Sequence, residues 1–222
     1  MEKIKYSDRE ALEMGLAERI ADDLKQALHQ KDRVTFAVAG GQTPRPVYEL
    51  LGGVSMDWDR VDVVLTDERW VPETDPMSNA AMIRESLLQG HAAAAVFHPI
   101  YRDGDKTEAI RAAATDVGPF LPIDVALLGM GTDMHTASLF PDDVGLSEAF
   151  DLTGPIFVPA TSPSGDARVS MGAATLNTAN EKHLMIVGKS KKKALKQARK
   201  ITDPVTAPIM ALAHGLVVHW AK

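Results

Sequence analysis

A chain of 222 residues with 45% hydrophobic content can bury a sizeable core, and residues 1–222 are expected to form one domain. The absence of cysteine excludes disulfides, thiol nucleophiles and cysteine-ligated metals, and no apolar run approaches the ~20 residues of a membrane span. A formal net charge of −6 argues against a nucleic-acid surface and obliges any anionic ligand to find a local basic pocket. The opening MEKIKYSDREALEMG has no apolar signal core, so a cytoplasmic location is expected.

Along the chain, Leu12, Leu16, Ile20, Leu24 and Leu28 recur every four residues among charged ones, an amphipathic helix of about five turns. VTFAVA (34–39) reads as a buried strand; Thr43 then reads as an N-cap with Pro44 at the first helical position of a helix through Leu51. VDVVLT (61–66) is a second buried strand, followed by a helix over 79–88, a short strand at 96–98 and an Ala-rich helix over 106–117. IDVALL (123–128) is the clearest strand of the middle third; PIFVPA (155–160) and ARVSM (167–171) are weaker candidates. HLMIVG (183–188) and GLVVHW (215–220) close the series, with a lysine-rich helix over 190–199 between them. Continuous apolar strands alternating with helices imply a Rossmann-like α/β fold, a mainly parallel sheet covered on both faces. In such sheets ligands bind beyond the carboxyl ends of the strands, so the loops that follow strands carry the functional information.

Four of these loops have unusual chemistry. In AGGQTP, Gly40 and Gly41 allow close backbone approach, and the next helix start could hold a phosphate; an ordinary βα turn explains the pattern as well. It is neither GxGxxG nor a P-loop. DERWVP puts Asp67 and Arg69 at a strand end, as a solvated ion pair or as cleft residues. GMGTDMHTASLFP (129–141) leaves its strand through two glycines and sets Asp133 two residues before His135. Histidine is suited to take a proton at neutral pH, and a nearby carboxylate could fix its tautomer; a loop with a surface histidine is the plainer alternative. One Asp-x-His is too few ligands for a metal, and neither His-Glu-x-x-His nor Gly-x-Ser-x-Gly occurs. In VGKSKKKALKQARK, Lys191, Lys192, Lys193 and Lys196 form a run that usually marks a solvated face, though one lysine near the helix start could reach an anion. His29, His91, His98, His183, His214 and His219 stand in no such loop and read as structural.

Taken in order, AVAGGQTP, LTDERWVP with Ser78–Asn79, LLGMGTDMHTASLFP, RVSMGAATLNTA and VGKSKKKAL resemble the 6-phosphogluconolactonase family, a relative of the glucosamine-6-phosphate deaminases. The resemblance implies a NagB/RpiA-like fold, no metal or other cofactor, and hydrolysis of 6-phospho-D-glucono-1,5-lactone to 6-phosphogluconate in the pentose phosphate pathway. It implies that His135 acts on the attacking water; Asp133 and Asp67, the carboxylates read from the loops, are the further catalytic candidates and the next bases should His135 not serve. It places the phosphate against Gly40, Gly41, Gln42 and Thr43 and against Arg69, Arg168 and Lys191. The chain departs from the family at Met134, where a glycine is usual before the histidine, and at Gln42, where a serine is usual. Met134 must therefore tolerate whatever backbone conformation that glycine served.

The expected partner is a small phosphosugar lactone, bound by a monomer or weak homodimer without nucleic acid or membrane. A sugar-phosphate deaminase or isomerase on the same fold is the nearest rival. Its ring-opening proton shuttle resembles deaminases with a further carboxylate just after the histidine, and HTASLFP has none before Asp142. A non-catalytic sugar-phosphate sensor would call for a DNA-binding segment, whereas residues 1–33 show one amphipathic helix and a short polar lead.

Overall fold

The computed structural model describes residues 1–201 and 203–222. Its main sheet is entirely parallel and contains β1 (Glu2–Lys5), β2 (Val34–Val38), β3 (Val61–Leu65), β5 (Val96–His98), β6 (Val125–Leu128), β9 (Glu181–Val187) and β10 (Leu216–Ala221). The order is β1-β10-β9-β6-β2-β3-β5. Every residue of β2, β3 and β6 is buried, as expected of strands covered on both faces. The Rossmann-like α/β expectation therefore describes the main sheet.

The first helix, α1 (Arg9–Gln30), starts where Asp8 accepts a hydrogen bond from Ala11 N at 2.8 Å. Its Leu12, Leu16, Ile20, Leu24 and Leu28 stripe is buried, each side chain contributing roughly 1.5–3 kcal/mol. α2 (Arg45–Gly52) follows β2, α3 (Asn79–Ser86) follows β3 and the segment after it, α4 (Lys106–Val117) follows β5, and α7 (Gly188–Ile201) follows β9. Two single-turn helices, α5 (Leu146–Ala149) and α6 (Ala173–Leu176), are additions to the expected series.

Three further differences have physical causes. The short polar lead is the edge strand β1, paired to β10; a four-residue strand that leaves most of its side chains in solvent has no apolar alternation to announce it. Thr43 does not cap α2: Pro44 occupies the cap position and no side chain bonds there. Asp67–Arg69 is not a loop but a strand, β4, in a separate antiparallel sheet of order β4-β8-β7 with β7 (Phe157–Thr161) and β8 (Ala167–Met171).

This arrangement creates the cleft. From β2 the chain steps to β3 and β5 on one side, whereas β6, β9 and β10 lie on the other. The loops after β2 and β6 therefore diverge at the sheet's carboxyl edge, the topological switch point where such folds bind ligands. The small sheet stands over the same edge, joined by Met171 N donating to Thr66 O at 2.8 Å.

Candidate active site

A cleft of about 450 Å³ opens at the switch point. It brings together Gly40, Gly41, Thr43, Asp67, Arg69, Asp133, His135, Arg168 and Lys191, leaving Gln42 exposed and outside its lining.

The segment after β6 folds back tightly on itself. Gly131 N donates to His135 O at 2.9 Å, Met134 N to Gly131 O at 3.1 Å, and Thr136 Oγ1 to Gly129 O at 2.9 Å. Met134 adopts φ 74°, the left-handed region that a glycine enters freely and that costs an ordinary residue about 1–2 kcal/mol. Its side chain is buried in the core and its carbonyl accepts from Ile209 N at 3.1 Å, so packing holds the strained residue in place. Gly131 is required by space: a Cβ there would lie 2.0 Å from Asp133 Oδ1 and 2.1 Å from His135 Nδ1.

The turn puts His135 Nδ1 2.6 Å from Asp133 Oδ1. With the Nδ1 proton given to the carboxylate, Nε2 keeps its lone pair and is free to accept a proton. Burial works against the charge on Asp133, but the His135 hydrogen bond and charge outweigh it and hold the carboxyl below its ordinary range. The imidazole remains partly open to the cleft, and the Phe140 ring flanks it at 4.7 Å between centroids.

Across the cleft, Arg69 and Arg168 are direct cross-strand partners on β4 and β8. Like charges placed opposite one another on a sheet destabilise it. Both Nε groups are also buried without an acceptor, a costly state for a guanidinium. Burial, then the charge of Arg69, lowers the Arg168 pKa; Asp67 and Asp166 oppose the shift, Asp166 lying 3.6 Å from Arg168 Nη2. Two crowded, half-buried cations lining one cleft are what an anionic group would satisfy.

Asp67 is not the solvated partner of Arg69. It is buried, accepting from Ser138 Oγ at 2.7 Å and Thr66 Oγ1 at 3.2 Å. Lys191, on the first turn of α7, donates to Met130 O at 2.5 Å. Burial lowers its pKa, against the opposing charge of Asp133. Its neighbours Lys192 and Lys193 are exposed, with Lys192 Nζ resting 3.8 Å from the Trp220 ring centroid.

The lining also includes Asn79, Ser138, Ser162 and Ser164, to which sequence reading assigned no role. Asn79 stood within a family-like segment; the serines of the β7–β8 hairpin had no signal beyond composition.

The family model described as "Glucosamine-6-phosphate isomerases/6-phosphogluconolactonase" matches residues 7–220. This chain belongs to that family. Among curated relatives, the 6-phosphogluconolactonase of Pseudomonas aeruginosa is 38% identical, over 93% of this chain and 89% of that protein. The 6-phosphogluconolactonase of Rhizobium meliloti is 37% identical, over 93% and 94%. The crystal structure of a 6-phosphogluconolactonase from Shewanella baltica superimposes with a TM-score of 0.96 at 30% identity, covering 100% of this chain and 98% of the other. Family membership encompasses both lactonases and isomerases, so the chemistry of the cleft decides between them.

Proposed function

We propose that the chain hydrolyses 6-phospho-D-glucono-1,5-lactone to 6-phosphogluconate, the lactone-opening step of the oxidative pentose phosphate route. One observation carries the reading: the Asp133–His135 pair and two half-buried arginines, Arg69 and Arg168, line one cleft. The relatives' shared name supports it.

In this mechanism Arg69, Arg168 and Lys191, with the Gly40–Thr43 turn, hold the phosphate. His135 Nε2 takes a proton from a water whose oxygen bonds to the lactone C1. The bond from C1 to the ring oxygen then breaks, and the ring oxygen takes a proton to become the hydroxyl of the open acid. Asp133 keeps the imidazole in the accepting tautomer and stabilises the imidazolium that forms. No covalent nucleophile is needed, because the lactone carbonyl is already electrophilic. Asp67, fixed by Ser138, is the second carboxylate within reach of the cleft. Residues 1–222 act as one unit, since the cleft draws on loops from Gly40 to Lys191; the unit is read as cytoplasmic and as a monomer or weak homodimer.

A deaminase or isomerase remains the alternative on this fold, disfavoured because no carboxylate follows His135 before Asp142. The test is to generate the lactone in situ from glucose-6-phosphate and follow acid release with and without the protein, subtracting spontaneous opening. Acceleration above background is expected. No acceleration, together with turnover of glucosamine-6-phosphate, would overturn the assignment.

A further inference from the structure

Asn79 is 1% exposed at the cleft wall, and the steps above make no use of it. Its amide nevertheless joins three cleft elements. Nδ2 donates to Asp67 O at 2.8 Å, and Oδ1 accepts from Arg69 Nη1. The side chain also fills the space beside Gly40, where a Cβ would fall 2.0 Å from Asn79 Cγ. Arg69 Nη1 donates in addition to Met77 O at 3.0 Å, in the segment leading into α3.

Glu68 anchors this assembly from below. It is fully buried between Asp67 and Arg69 in sequence. Its Oε1 accepts from Asn79 N and Arg69 N, both at 2.7 Å, and its Oε2 from Ala80 N at 2.8 Å and Ser78 Oγ at 3.3 Å. The carboxyl thus binds the first two N–H groups of α3 and clamps that helix start onto β4. Burial raises the Glu68 pKa, and the bonds from Asn79, Ala80 and Arg69 oppose the rise.

The electrostatics give this clamp a purpose. Arg69 lies directly opposite Arg168, and a free guanidinium would relax away from its like-charged neighbour into solvent. Two carbonyl-type acceptors at Nη1 hold the guanidinium at the cleft wall, so its ordering cost is met before a ligand arrives.

We infer that Asn79, anchored by Glu68, is a positioning residue that aims Arg69 and locks it to the Gly40–Gly41 turn, assembling the phosphate half of the cleft in the free protein. The inference rests on the reading that the phosphate sits against Arg69 and Arg168.

The test is equilibrium binding of 6-phosphogluconate by calorimetry to the intact protein and to Arg69→Ala, Asn79→Ala and the double variant, each checked for folding by thermal melting. Both single variants should bind about 10-fold more weakly, the loss expected of one charge-assisted hydrogen bond. In the Arg69→Ala background, adding Asn79→Ala should cost less than about 3-fold, because residues acting through one another are not additive. Lactone kcat of Asn79→Ala should stay within about 3-fold of the parent, since uniform binding shows in KM. Unchanged affinity in Arg69→Ala would sink the phosphate placement and the inference with it. A weakened Arg69→Ala beside an unaffected Asn79→Ala, or a full Asn79 penalty persisting without Arg69, would overturn the inference alone. If Asn79→Ala fails to fold, Asn79→Leu keeps most of the volume and removes both the amide donor and the acceptor that holds Arg69; it should weaken binding too, and unchanged affinity there refutes the positioning role.

Discussion

Loss of His135 separates catalysis from binding. A positioned general base is typically worth ~10²–10⁴-fold, so His135→Ala should cut kcat by about that factor with KM little changed. Near-normal kcat in His135→Ala would move the base to Asp67 or Asp133. Gly131→Ala makes the same point by sterics. Its Cβ would fall about 2 Å from both Asp133 Oδ1 and His135 Nδ1, so kcat should collapse while circular dichroism stays native. Among the cations, Arg168→Ala should raise KM by roughly one to two decades, from ~1.5–3 kcal/mol per charge-assisted bond. Lys191→Ala should outweigh Lys192→Ala and Lys193→Ala, because only Lys191 lines the cleft. Equal effects of all three lysines on KM would mean a diffuse field rather than a contact.

At the scale of elements, stability and activity come apart. The Asp8 cap opens a helix whose apolar stripe lies far from the cleft in sequence, so Asp8→Ala should cost about 1 kcal/mol. In a chain of this size that is a melting-point loss of about 2–4 °C, with kcat/KM unchanged. A fall in kcat/KM beyond assay error would show α1 coupled to the site. The helices and central strands were legible because their signals are local: a four-residue apolar recurrence, or a short, mostly apolar run such as VTFAV or VDVVL. The small sheet was not, because DER carries no strand periodicity and pairs with ARVSM, far along the chain. Thr43 misled for a related reason: a cap-like residue before Pro44 is a local preference, and tertiary packing left it in the cleft lining.

Across the whole molecule, a buried polar chain links α1, β9 and β10 through side chains outside the cleft lining. Asp23 on α1 lies 2.9 Å from His183 Nε2 on β9, His183 Nδ1 lies 3.1 Å from His219 Nε2 on β10, and His219 Nδ1 lies 2.9 Å from the Tyr6 hydroxyl. Burial first, then the charges of His183 and Arg19, lower the His219 pKa to about 3, with Asp23 opposing. The unfolded chain therefore binds a proton below about pH 6.5 that the folded chain refuses until about pH 3. Its contribution is complete above that window and is lost as pH falls through it, at up to about 1.4 kcal/mol per pH unit. Urea midpoints at pH 7, 5 and 4 should fall, and fall less steeply in His219→Gln. Parallel pH profiles for the two proteins would remove His219 as the source.

The sequence by itself determined the α/β class, the order along the chain of the main-sheet strands other than β1, and the loops that meet at their carboxyl edge. Apolar continuity, helical period and glycine-rich turns are properties of neighbouring residues. The resemblance to the family implied that Met134 takes over a glycine's backbone conformation, and its φ of 74° lies in the left-handed region that glycine favours. Only the tertiary structure decided that Arg168 lies opposite Arg69, that Asp67 answers Ser138 rather than Arg69, and that Asn79 stands against Gly40. Those contacts join segments distant in the chain, and their energy comes from burying charge and polarity where a second segment supplies the partner, which no local pattern records.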